Sequence, residues 1–153
     1  MIKIMFVCHG NICRSPMAEF LMKDLVCKKG EEQNFEIKSS ATSSEELGNP
    51  VHYGTKDVLD RLGISCRGKY AVKLTASDYN KYDYFIGMDE YNIRNMLRIL
   101  GSDSENKIYK LLDFTNRKGD VADPWYTGNF TDTYRDVSEG VIALYEFIKN
   151  NLK

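Results

Sequence analysis

The chain has 153 residues, 28% of them charged and 42% hydrophobic, with a formal net charge of −1. That length predicts one domain over residues 1–153 with a buried core. The charge balance excludes a general nucleic-acid binder, because no basic run is long enough to follow a phosphate backbone.

No stretch approaches a membrane span, and the N-terminal apolar run is too short for a signal peptide and lacks a small-residue cleavage site. Four cysteines without an export signal point to the reducing cytosol rather than to a disulfide framework. Ile2, Ile4, Met5, Phe6 and Val7 form an apolar run with one lysine, the pattern of a central strand in a parallel sheet. Ser15 then reads as a helix cap and Pro16 as the first helical residue. Met17, Leu21 and Leu25 carry that helix over about residues 16–29, and Gly30 stops it.

Residues 35–39 alternate like a strand nearer a sheet edge, and residues 41–50 are polar and turn-rich. A helix is predicted over 51–62 with Val58, Leu59 and Leu62 inward, and residues 64–73 are irregular. Thr75, with Asp78 three residues on, predicts a short capped helix. Residues 84–87 form a third strand. Asp89 opens a helix carrying Ile93, Met96, Leu97 and Leu100, closed by Gly101. A fourth strand covers 108–112, a long loop 115–129, and a last helix 131–152, with Val137, Val141, Leu144, Tyr145 and Ile148 on one face.

Strands alternating with helices predict an α/β fold: three layers, doubly wound, a four-stranded parallel sheet with helices on both faces. Ligands of such sheets bind beyond the C-terminal strand ends. The loop after the first strand, the Met88-Asp89 segment and the loop around Asp123 all fall on that edge.

The first of these reads V-C-H-G-N-I-C-R-S-P. A strand–loop–helix unit of this kind aims backbone N–H groups and the positive end of a helix at one point, which makes an anion site with Cys8 at its edge. A helix N-terminus and neighbouring positive charge draw a thiol toward its nucleophilic thiolate form. Ser15 can donate to that sulfur, and Arg14 presents a planar fork matched to two phosphoryl oxygens. Gly10 allows positive φ and close approach, and Asn11 tolerates the left-handed region while its amide ties the loop together. A lone C-x5-R would be weak, since cysteines usually serve as packing; the longer block, between an apolar strand and a proline-started helix, is specific. Cys8 and Cys13 share this tight loop, so peroxide is expected to link them reversibly. His9 and the lone His52 give no second ligand pair, which sets a metal aside. Cys27 and Cys66 read as ordinary thiols.

At these residues the chain resembles the low-molecular-weight protein tyrosine phosphatases. The resemblance continues through Ser40-Ala41, Gly48-Asn49-Pro50, Tyr82-Asp83-Tyr84, Met88-Asp89-Glu90 and Asp123-Pro124-Trp125-Tyr126. It implies flavodoxin-like strand order and hydrolysis of phosphotyrosine through a cysteinyl-phosphate intermediate. Cys8 would be the nucleophile, and His9, Gly10, Asn11, Ile12, Cys13 and Arg14 would hold the phosphate. Taken alone, Asp-Pro serves equally well as turn chemistry; the resemblance makes Asp123 the general acid. Likewise Asp89 is either a plain helix cap or, as in the family, a brace for Ser15 or Arg14. Ile12, Trp125 and Tyr126 would wall the aryl slot, Trp125 departing from the usual pair of tyrosines. Lys69 stands where many members have a histidine that braces the loop asparagine. A lysine cannot accept a hydrogen bond, so Asn11 must be held otherwise, and Lys69 is expected to aid anion binding in a salt-dependent way.

The resemblance implies no cofactor, and as partner a phosphotyrosine-containing protein, a tyrosine kinase or one of its targets. It further implies a cytoplasmic monomer or weak dimer, or one released without a signal peptide. An arsenate reductase on this scaffold would relay oxidation through cysteines near positions 80–90, and residues 79–90 contain none. Phosphoarginine phosphatases carry threonine where Ile12 stands. A non-catalytic phospho-ligand or redox-sensing module would not need Cys8, Arg14 and Asp123 all intact.

Overall fold

The computed structural model describes residues 1–152. Strands β1 (Ile2–Cys8), β2 (Phe35–Ala41), β3 (Tyr84–Gly87) and β4 (Ile108–Lys110) form one sheet in the order β2-β1-β3-β4. Every pairing is parallel. The flavodoxin-like, doubly wound arrangement expected from the sequence is the one observed.

The alternation of β1 explains the two layers. Ile4, Phe6 and Cys8 join the core with Met17, Met22 and Val26 of α1 (Arg14–Lys28) and Val137, Val141 and Leu144 of α5 (Phe130–Asn150). Met5 and Val7 face the other way, onto Met96 and Leu100 of α3 (Glu90–Leu100) and Tyr79 of a 3-10 turn at Ala76–Asn80. Each large apolar side chain so buried contributes about 1.5–3 kcal/mol. α5 closes tightly over the 3-10 turn at Leu111–Phe114, since a Cβ on Gly140 would lie 2.4 Å from Leu111 Cγ. α2 (Tyr53–Arg61) lies over α1, with Leu59 meeting Phe20 and Leu21.

Several boundaries differ from the sequence reading. α1 begins at Arg14, its N-cap is Cys13, and Ser15 caps nothing; the Ser15 hydroxyl is drawn to the Cys8 sulfur instead. α2 is shorter than 51–62 because the His52 ring caps it, and Leu62 points out to solvent, as does Leu97 in α3. β2 extends to Ala41, paired along all of β1. β4 stops at Lys110, where the chain tightens into the 3-10 turn, and the loop 115–129 contains a further short helix, α4 (Pro124–Thr127). Cys27 is exposed and Cys66 buried. Among the described residues no helix is long and apolar enough to cross a membrane.

Candidate active site

β1 and β3 are neighbours whose outgoing chains part company, β1 into α1 and β3 into α3. The loop from Cys8 to Arg14 rises in the crevice between them, the switch point of the sheet. Its carbonyls are bonded outward: Cys8 O accepts from Thr42 N (3.0 Å), His9 O from Ser43 N (3.0 Å), Ile12 O from His52 N (2.9 Å) and Cys13 O from Thr55 Oγ1 (3.0 Å). In a planar trans peptide the N–H points opposite to the C=O, so the loop amides turn toward its centre. Asn11 N–H points at Cys8 Sγ (3.3 Å), and Ser15 Oγ lies 3.0 Å from the same sulfur.

Asn11 is the residue at positive φ, 61°, and Gly10 is not in that region. A Cβ at position 10 would stand 3.3 Å from the Glu46 side chain, a tight contact that a small shift of that side chain would relieve. The left-handed turn at Asn11 places its amide beneath the loop, where Nδ2 donates to Ser15 Oγ (2.8 Å) and Ser39 Oγ (2.9 Å) and Oδ1 accepts from Val72 N (3.1 Å). Lys69 reaches this layer from behind. Its Nζ donates to Ser39 O (2.8 Å) and lies 3.8 Å from Glu19 Oε1, which also accepts from Ser39 Oγ (2.5 Å). Burial pulls the Lys69 pKa below its ordinary value, against the opposing pull of Glu19.

The sequence predicted that Lys69 aids anion binding in a salt-dependent way, and its 12% side-chain exposure changes that expectation, because partly buried pairs are screened little. Lys69→Ala should weaken phosphate and vanadate inhibition by about fivefold, the worth of one hydrogen bond, and nearly equally at low and high salt. Inhibition constants that stay at the wild-type value would uncouple Lys69 from the loop.

Arg14 is 3% exposed, and its guanidinium is fixed by Asp89 Oδ2 (2.8 Å) and Val121 O (3.1 Å), both on Nη1, and by Asp123 Oδ2 (3.4 Å) on Nη2. Burial disfavours its charge, but Cys8, Asp123 and Asp89 outweigh that and raise its pKa. Asp89 does both things the sequence left open: Oδ2 holds Arg14 while Oδ1 caps α3 at Asn92 N (2.7 Å). Cys13 packs against Ile12 and Ala71. Its thiol is pushed up to about 12 by burial and then by the neighbouring Cys8 and Asp123.

These groups floor a cleft of about 640 Å³. Ile12, Trp125 and Tyr126 line it together with Tyr91, Glu45 and Glu46, which the sequence reading did not single out. Trp125 and Tyr126 are 64% and 85% exposed at the mouth. Trp125 sets its edge on the His52 ring, which stacks between Tyr53 (4.4 Å) and Phe130 (5.2 Å). The His9 side chain leaves the loop to pair with Glu45 at 2.6 Å. Ser39 and Glu19 were also missed, though the alternation that turns Phe35 and Ile37 inward along β2 turns Ser39 the same way.

The family profile described as "Low molecular weight phosphotyrosine protein phosphatase" matches residues 3–153. The chain belongs to this family. The low molecular weight protein-tyrosine-phosphatase YfkJ of Bacillus subtilis is 41% identical over 151 residues, covering 97% of each chain. PtpA of Staphylococcus haemolyticus is 38% identical over 149 residues, 97% of this chain and 94% of the relative. The crystal structure of the B. subtilis phosphatase superposes with a TM-score of 0.96 at 39% identity, over 100% of this chain and 98% of that one. A Drosophila arginine phosphatase shares the fold at 26% identity, with a TM-score of 0.89 over 98% and 99% of the two chains. As a family phosphatase, the protein works with a cysteine nucleophile on phosphoprotein substrates.

Proposed function

We infer that this phosphatase hydrolyses phosphotyrosine in two steps on Cys8. The observation that carries the reading is the Cys8 sulfur set under inward-turned amides, with the Arg14 guanidinium fixed in the same cleft and Asp123 in contact with it. The thiolate attacks phosphorus, an S–P bond forms, and the P–O bond to the tyrosine breaks as Asp123 supplies its proton. Asp123 carboxylate then takes a proton from water, whose oxygen attacks phosphorus and releases inorganic phosphate and the Cys8 thiolate. Arg14 and the loop amides hold the equatorial oxygens through both steps. Phosphate binding competes for Nη2 of Arg14, which frees Asp123 Oδ2 to meet the leaving oxygen.

Depth selects the ester. Cys8 is 3% exposed beneath tall aromatic walls, so a phosphate must be carried down on a long, flat side chain. Phosphotyrosine has one and phosphoserine does not. Ile12 in the wall offers a phosphoarginine guanidinium no hydrogen bond, which favours the aryl ester, and no cysteine relay exists between Tyr79 and Glu90 for arsenate reduction. Peroxide would join Cys8 to Cys13 across the same loop. A tyrosine kinase or its targets in the cytoplasm supply the substrate, and the enzyme acts as a monomer or weak dimer.

The test is turnover of matched phosphotyrosine and phosphoarginine peptides, with vanadate as inhibitor. Phosphotyrosine should win by at least about tenfold in kcat/KM, the scale on which pocket contacts discriminate. Equal turnover, or a preference for phosphoarginine, overturns the assignment.

A further inference from the structure

We propose that Asp136, tied to Arg117, is a positioning residue that holds the Asp123 carboxyl over the leaving oxygen; the inference rests on Asp123 being the proton donor. The peptide units just before Asp123 are pinned at four points. Val121 N donates to Met88 O (2.8 Å) and Val121 O accepts from Arg14 (3.1 Å), while Ala122 N donates to Asp136 Oδ2 (3.2 Å) and Ala122 O accepts from Thr133 Oγ1 (2.9 Å). The two bonds on Ala122 both come from α5. The Asp123 carboxylate accepts two bonds, a local one from Trp125 N (3.0 Å) and one from Arg14 Nη2 (3.4 Å).

Phosphate engages Arg14, so the contacts through that side chain are open to competition during turnover. Those from α5 lie away from the anion and persist. A surface helix would ordinarily use an aspartate to pair with an exposed cation at little gain. Asp136 is different: it is 5% exposed, and a buried carboxylate is costly unless its oxygens are used. One oxygen receives Arg117 Nη2 (2.6 Å), and Arg117 Nε is held by both oxygens of Glu139 (2.8 Å each). The other is aimed at a backbone N–H one residue before the acid. Arg117 therefore neutralises and orients Asp136, and Asp136 fixes Ala122. Asp123 is thereby placed from α5.

The test compares Asp136→Ala, Asp136→Asn, Arg117→Ala and Asp123→Ala on aryl phosphates of graded leaving-group pKa, with phosphate inhibition measured for each. A displaced acid costs most where the leaving oxygen is most basic, and a shift of about 1 Å is worth up to about 10²-fold. Asp136→Ala should lower kcat/KM for phenyl phosphate by about tenfold or more and for p-nitrophenyl phosphate by only about twofold, with the phosphate inhibition constant unchanged. Asp136→Asn keeps an oxygen for the Ala122 N–H and should recover part of the loss. Arg117→Ala, at a half-exposed residue, should tilt the series the same way to a smaller extent, and it carries the test if Asp136→Ala does not fold. A series in which Asp123→Ala tilts while neither Asp136→Ala nor Arg117→Ala does overturns the clamp alone. If Asp123→Ala itself fails to tilt, both the clamp and the role of Asp123 fall.

Discussion

Cys8→Ser should abolish turnover of every phosphate ester while leaving the loop able to bind phosphate. A serine hydroxyl under the same amides is not ionised at neutral pH and is a poor nucleophile toward phosphorus without an adjacent base, and Ser15 Oγ (3.0 Å from the sulfur) is a hydroxyl, not a base. The loss should reach about 10⁴-fold or more in kcat, the scale seen when a nucleophile is removed from an intact site. Arg14, Asp89 and the outward-bonded carbonyls do not depend on sulfur, so calorimetric phosphate affinity should stay within a few-fold of wild type. Residual turnover above about one part in a hundred, with phosphate affinity intact, would mean that water attacks directly and no cysteinyl-phosphate is needed.

Asp123→Ala should make the rate depend steeply on how basic the leaving group is. Phenoxide from phosphotyrosine needs a proton as the P–O bond breaks, so losing the acid should cost about 10²–10³-fold in kcat/KM. p-Nitrophenolate departs readily without one, so the same change should cost much less there. The structure supplies a control, because Asp123 Oδ1 also caps α4 through Trp125 N (3.0 Å). Asparagine preserves a capping oxygen but carries no acidic proton, so Asp123→Asn should match Asp123→Ala in rate while keeping α4. Equal slowing of good and poor leaving groups in both variants, or full activity in Asp123→Asn, would reduce Asp123 to a loop-shaping residue.

The parts legible in the sequence are those whose causes are local. The apolar run of β1, the Asp89 cap opening α3 and the capping box at Thr75 and Asp78 each need only a few consecutive residues to be recognised. So does the loop V-C-H-G-N-I-C-R-S-P, whose chemistry is carried by neighbours in the chain. Alternation of helix and strand then dictated a parallel sheet, and the parallel sheet dictated that Cys8, Asp89 and Asp123 share one edge.

Where a long-range partner competes with a local rule, the local rule lost. Ser15 is a good cap by type, but the Cys8 sulfur and the Asn11 amide claim its hydroxyl, so α1 starts two residues earlier without it. The sequence predicts that Lys69 aids anion binding through a salt-dependent charge, and its amine instead lies largely shielded against Ser39 and Glu19, 30 and 50 positions away in sequence. The aromatic wall stacks His52 on Phe130, and Ala122 hangs from Asp136 on α5. None of these pairs carries a spacing that a sequence displays, because they form only when β2, α2 and α5 close around the sheet. Residue types and local order thus determined what chemistry this chain carries. Tertiary packing alone decided how its asparagine, arginine and aspartate are held, because the groups that satisfy buried polar atoms come from wherever the fold brings a donor or acceptor within reach.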